Sequence, residues 1–285
     1  MITTIVAWDQ PPWDITTPAT PQKIITIALA VVVAGFVITA LVSWYRTKRP
    51  TFLLLLVGGY ICSFNEPLID FLCHCFFPAD GWVGHTVFHR SIPIWVILAY
   101  IVFYGGLTYL LSTAFKIGVT RRTLWIGIGI WAALNLAMEI PLLQSNLYVY
   151  YGDQPFLVGG FPLSQLVFNA FGSLLGAVVI TRLSWFFTGA RRLFLLLVPF
   201  VTFMSSWVVG MPLFLVLGTD APHGVRMWAA AVSMALGLFG IDTLIRLGTG
   251  QFRLLPPCSA TPNVPDVSQQ PTATAAASSA PSSAR

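Results

Sequence analysis

Glu66 and Asp70 stand four residues apart inside an apolar segment, a spacing that sets two carboxyl groups one helical turn apart on a single face. A carboxylate turned toward hydrocarbon costs several kcal/mol, so both side chains are expected to face the protein interior or a watery cavity. There a carboxyl group without a cation keeps its proton and can act as a general acid. Pro67 removes a backbone donor within the same turn, which frees a carbonyl and widens the helix beside the acids. Glu139 follows Asn135 by the same four residues in a later apolar segment, and Asn169 follows Gln165 likewise in the next. Amides beside carboxyls can hydrogen-bond a protonated acid or orient a substrate hydroxyl or carbonyl. Glu66, Asp70 and Glu139 are therefore the candidate catalytic residues, and Asn65, Asn135, Gln165, Asn169 and Asp80 the candidate substrate-binding residues. The competing reading is polar glue between helices, but the presence of acids as well as amides favours a cavity.

Asp242 is a fourth acid in an apolar segment, with Arg246 one turn further on, and an interfacial ion pair accounts for it. The stretch from Cys73 through His74, Cys75 and Asp80 to His85 and His89 carries soft ligand types. Cys73 and Cys75 are separated by one residue rather than the two to four of zinc sites, so no metal is expected. The same closeness disfavours a mutual disulfide, and Cys62 is expected to be buried. The stretch reads instead as a lid over the acids, with Asp80 and one histidine reaching the pocket mouth. Aromatic residues make up 14% of the chain, mostly as lipid-facing or belt residues. Trp131, Phe168 and Trp207 are candidates to line the pocket and stabilise a cation through their ring faces.

These residues must be held by membrane-spanning helices. The chain of 285 residues is 56% hydrophobic and 9% charged, and a hydrocarbon core about 30 Å thick requires roughly 20 apolar residues per helix. Seven segments meet that length: Ile24–Trp44, Phe52–Phe71, Ile92–Phe115, Leu124–Leu142, Phe161–Phe186, Leu193–Leu217 and Met227–Leu247. The fold class expected is all-α, an integral membrane bundle of seven transmembrane helices. Residues 1–23 form an extracytoplasmic N-terminal segment, 24–247 the membrane domain and 248–285 a disordered cytoplasmic tail of Pro, Ser, Ala and Thr. Trp8 and Trp13 are candidate headgroup anchors.

Arg46, Lys48 and Arg49, then Lys116, Arg121 and Arg122, then Arg182, Arg191 and Arg192, and finally Arg246 and Arg253 follow alternate helices. By the positive-inside rule those ends are cytoplasmic, the N-terminus is outside and the C-terminus inside. The first span has neither a preceding basic run nor a small-residue cleavage site and reads as retained. The net charge of +5 is thus an orientation signal, and nucleic-acid binding has no support. On this topology all the candidate acids and amides of the second, fourth and fifth helices fall in the outer half of the membrane, beneath the two longest connections, Leu72–Ser91 and Gln144–Gly160. The motifs Asn65-Glu66-Pro67 and Glu139-Ile140-Pro141 lie on helices running the same way, which counts against an inverted-repeat transporter. A retinal protein would need a lysine in the seventh helix, and Met227–Leu247 has none.

The string from Gly58 to Asp70 (Gly-Gly-Tyr-Ile-Cys-Ser-Phe-Asn-Glu-Pro-Leu-Ile-Asp) is followed by Phe77-Pro78-Ala79-Asp80-Gly81 and Ile92-Pro93-Ile94-Trp95. With Met138-Glu139-Ile140-Pro141 and Asn169, it resembles the AveC-type spirocyclase family of actinobacteria over nearly all the membrane region. The resemblance implies closure of a dihydroxy-ketone polyketide to a spiroketal, with Glu66 as the acid and Asp70 or Glu139 as its proton partner. A lipophilic small molecule and membrane lipid are the partners expected, and no cofactor is expected. The histidine- and cysteine-rich loop departs from the family pattern. A membrane-bound terpene cyclase protonating an epoxide or alkene is the nearest alternative, and a proton-coupled transporter or lipid-binding protein is the non-enzymatic one.

Overall fold

A computed structural model describes residues 10–251 of the chain. Trp8, most of the expected tail and part of the expected N-terminal segment lie outside those residues. Within them are seven helices long and apolar enough to cross a membrane, α1 (Ala19–Thr47), α2 (Thr51–Cys73), α3 (Ile94–Lys116), α4 (Arg121–Gln144), α5 (Ser164–Arg182), α6 (Val198–Leu217) and α7 (His223–Gly248). The chain is a multi-pass, all-α membrane bundle. Among the described residues six short strands decorate one end: β1 (Cys75–Phe76), β2 (Val83–Val87), β3 (Arg90–Pro93), β4 (Val149–Tyr150), β5 (Leu157–Val158) and β6 (Phe161–Pro162).

Local sequence explains where helices begin, end and deform. Lys48 turns left-handed at the end of α1, and Pro50 follows it. Thr120 caps α4, its hydroxyl accepting from the Thr123 N–H at 3.2 Å. Three spans start later than hydropathy suggests, α3 at Ile94 because Ile92 and Pro93 belong to β3. Phe161 and Pro162 pair with Leu157 and Val158 as strands, so α5 begins at Ser164. Residues Gly189–Leu196 form a 3₁₀ helix ahead of α6, because Thr188 and Gly189 (φ +53°) turn the chain there.

In α2, Pro67 has no N–H to give to the carbonyl of Ser63, and Ser63–Asn65 tightens to 3₁₀ geometry ahead of it. The expected local widening is therefore a local tightening. In α3 the stretch Ile101–Leu107 opens into a π-helix, and the hydroxyl of Ser173 on α5 donates to the Phe103 carbonyl at 2.9 Å. Glycines make this deformation compatible with close packing. A Cβ on Gly59 would lie 2.9 Å from the Ile101 Cα, and one on Gly105 would lie 2.6 Å from the Leu55 carbonyl oxygen.

The strand-bearing end carries a lid. β1 pairs antiparallel with β4, so Cys75 faces Tyr150 and the two longest connections are joined across 75 residues of sequence. The Tyr151 N–H donates to the His74 carbonyl (2.9 Å), Gln154 Nε2 to that of Cys73 (2.9 Å), and Arg90 to the Tyr151 hydroxyl (2.9 Å). At the opposite end Asp242 on α7 takes Arg121 (2.6 Å), Arg246 (2.7 Å) and the Trp125 indole N–H (3.1 Å). The sequence-based ion pair of Asp242 with Arg246 is present, enlarged by two partners on α4.

A candidate acid site beneath the lid

Beneath the lid lies a cavity of about 110 Å³ bounded by α2, α3, α4 and α5, with Phe203 of α6 contributing. Glu66 and Asp70 reach it from α2, Asn135 and Glu139 from α4, and Gln165 and Asn169 from α5. Six of the eight candidate residues thus share one cavity. Asn65 does not line it. Its side-chain amide donates to the Phe200 carbonyl at 3.3 Å, a tie between α2 and α6. Asp80 does not line it either, because it accepts from the backbone N–H and hydroxyl of Thr17 at 2.8 and 2.6 Å on the exposed rim. Those two hydrogen bonds hold the Asp80 carboxyl below its ordinary range.

The expected lid exists with different residues at the mouth. His85 stacks on Phe64 and His74 on Tyr151, while Cys75, Phe77, Tyr148 and Tyr150 face the cavity. Strand alternation in β4 and the β1–β4 register decide this, and neither could be read without knowing that the loops pair. Cys62, Cys73 and Cys75 are buried free thiols. Among the described residues no group of three or more His, Cys, Asp or Glu side chains is placed to hold a metal ion. Of the aromatic candidates, Trp131 lines the cavity, whereas Phe168 packs on Phe214 and Trp207 on Phe203.

The carboxyls have phenol partners that the sequence reading missed. The Tyr100 hydroxyl donates to Glu66 Oε2, and the Tyr148 hydroxyl donates to Glu139 Oε2. Asn135 Nδ2 donates to the other Glu139 oxygen at 3.4 Å, and the Tyr104 hydroxyl donates to Asn169 Oδ1 at 3.1 Å. Tyr148 lies beyond the end of α4, and burial, reinforced by the Glu139 carboxyl, pushes its phenol well above the ordinary value. It therefore remains a neutral hydrogen-bond donor. Tyr100 and Tyr104 repeat the four-residue spacing of the acids inside an apolar helix, a signal that was available. Tyr148 carried none, since its reach back to Glu139 depends on how the chain leaves α4.

Asp70 is 1% exposed, and its Oδ2 has no hydrogen-bond partner among the described residues. Asn135 Oδ1 and the indole nitrogens of Trp95 and Trp131 share that condition and line the same cavity. An unmet buried polar atom costs about 1–3 kcal/mol, so these atoms are the contacts that a bound oxygen-bearing molecule would complete. Rings of Phe77, Trp95, Phe103, Trp131 and Phe203 make much of the wall aromatic. Carboxyl groups that can give or take a proton, phenols that stabilise the carboxylate left behind, and ring faces that favour a cation make this wall suited to acid–base chemistry on an organic molecule.

No family model matches this chain, and neither a curated protein nor a solved structure does.

Proposed function

We propose that the protein is a membrane-embedded, acid-catalysed cyclase of the spirocyclase type. It resides in the cell membrane with the lid outward and closes a lipophilic hydroxy-ketone, of polyketide character, to a cyclic ketal. The reading rests on one observation: Glu66 and Glu139, each hydrogen-bonded by a phenol, converge with Asp70 on an aromatic-walled cavity inside the bundle.

The chemistry fits this wall step by step. A substrate hydroxyl adds to the ketone carbon to give a hemiketal, whose own hydroxyl must then leave. Glu66 protonates that hydroxyl and water departs, leaving an oxocarbenium ion whose charge the ring faces stabilise. Tyr100 donates to the Glu66 carboxylate so formed. A second hydroxyl attacks the cation as its proton returns to the Glu66 carboxylate, directly or relayed through Glu139 or Asp70, so that the acid is regenerated. The net change is loss of one water and formation of two C–O bonds at one carbon. A pocket poor in water favours that loss and protects the cation from capture.

The test uses membranes containing the full chain, a dihydroxy-ketone and, separately, an epoxy-prenyl compound, each scored for a cyclic product. Conversion of the dihydroxy-ketone is expected, with a fall of about 10²–10⁴-fold in Glu66→Gln. Full conversion by folded Glu66→Gln, Asp70→Asn and Glu139→Gln proteins sinks the assignment. Cyclisation of the epoxide alone replaces it with a terpene cyclase, and proton-coupled uptake without a product replaces it with a transporter.

A further inference from the structure

A cavity of about 110 Å³ holds the reacting atoms of an organic molecule but not the remainder of a long one, so any larger ligand must extend along a path out. The lid side is the more closed one, with Tyr150 alone among Cys75, Phe77, Tyr148 and Tyr150 only partly buried. Cys75, Phe77 and Tyr148 are 3%, 5% and 3% exposed, and the β1–β4 ladder holds the two loops together above them.

The side between α3 and α4 is different. In the most apolar stretch of α4 only 17% of residues are buried, against 61% in α5. α4 is fixed near its ends, by Arg121 and Trp125 on Asp242 at one and by Glu139 with Tyr148 at the other. Between them, α3 and α4 meet edge-on through Phe103 and Trp131, with ring centroids 6.4 Å apart. Ala99, Phe103, Trp131 and Met138 line the cavity yet are only partly buried. All four belong to membrane-spanning segments, where an unsealed surface meets hydrocarbon rather than water. Phe103 also sits in the π stretch of α3, a deformation common at functional sites.

We propose that the cavity opens sideways into the bilayer between α3 and α4, with Phe103 and Trp131 as a two-ring gate. Its ligand is an amphiphile dissolved in the membrane, with a single flexible apolar chain that lies in this cleft while the oxygen-bearing end meets the acids. The proposal rests on the reading of the cavity as a site for a lipophilic substrate.

The test is photolabelling of the full chain in lipid nanodiscs by a long-chain fatty alcohol bearing a diazirine near its hydroxyl, with adducts mapped by mass spectrometry. Adducts are expected on Glu66 or Tyr100 and on Met138, besides those on the outward-facing Ile130 and Leu134. Ala99→Trp narrows the cleft and lowers the interior adducts severalfold while the outward ones persist. Phe103→Ala, which widens the gate and needs no new volume, raises the interior adducts. Interior residues that the alcohol leaves unlabelled, or that a short water-soluble diazirine acid labels equally in wild type and Ala99→Trp, overturn the portal. Because labelling needs no turnover, its failure is separate from failure of the cyclase reading, which Glu66→Gln conversion decides.

Discussion

Two clusters of carboxyl chemistry occupy opposite ends of this bundle, and their partners differ in kind. Asp242 is clamped by two guanidinium groups and an indole, with 23% of its side chain exposed and the arginines 42% and 39% exposed. Its charge is fixed, neutralised and within reach of water, so it fastens α4 to α7. Glu66 and Glu139 have phenols and an amide as partners, and Asp70 keeps an unbonded oxygen. Partners of that kind support a carboxylate without locking it into an ion pair. A carboxyl in a membrane helix is thus a fastener or a reagent according to what faces it.

The sharpest way to break the contrast is to neutralise one acid in each cluster. Glu139→Gln is expected to lower conversion by about 10²–10⁴-fold. Asp242→Asn is expected to leave conversion unchanged and to lower the thermal midpoint by about 2–4 °C, the scale of roughly 1 kcal/mol for part-exposed pairs. Loss of activity in a folded Asp242→Asn protein erases the distinction. Removing the phenols probes the same contrast less severely. Tyr100→Phe and Tyr148→Phe each delete one hydrogen bond to a carboxyl, for which about 1.5–3 kcal/mol corresponds to a 10- to 150-fold fall in kcat. A change confined to KM shows instead that the phenols bind substrate.

The smallest effect is expected at Asp80, on the rim. Its folded-state carboxyl titrates below the ordinary value of 3.8, so the Thr17 tie contributes stability above that pH and loses it as the pH falls through the folded value. Relative to its intrinsic rate at each pH, amide exchange at Thr17 is expected to be slow at neutral pH and to accelerate in acid. Asp80→Asn abolishes that additional acceleration without altering conversion. An altered rate of conversion would return Asp80 to the site.

Much of this was legible in the chain because the bilayer imposes simple rules. Every spanning backbone must satisfy its own hydrogen bonds, so length and apolarity identified seven helices. Alternation of direction then put Glu66, Asp70, Asn135, Glu139, Gln165 and Asn169 at one level, and all six line the cavity. Hydropathy failed where apolar residues were doing something other than spanning. Phe161 is apolar and 1% exposed, yet it belongs to a strand. Leu195 is as buried, yet it lies in the 3₁₀ segment ahead of α6.

What the sequence determined by itself is the presence of three acids in apolar helices, the position of each along its own helix and the pairing of Asp242 with Arg246. Those follow from local spacing and from the cost of placing charge in hydrocarbon, and both are properties of one helix at a time. Tertiary structure alone decided that Tyr100 and Tyr148 serve Glu66 and Glu139, that Asp80 turns to Thr17 and Asn65 to Phe200, and that the lid is closed by Tyr148 and Tyr150 rather than by histidines. The reason is physical. Which side chain meets which depends on helix rotation, on the π stretch in α3 and on a strand pairing 75 residues apart, and none of these is encoded in the spacing within a single segment.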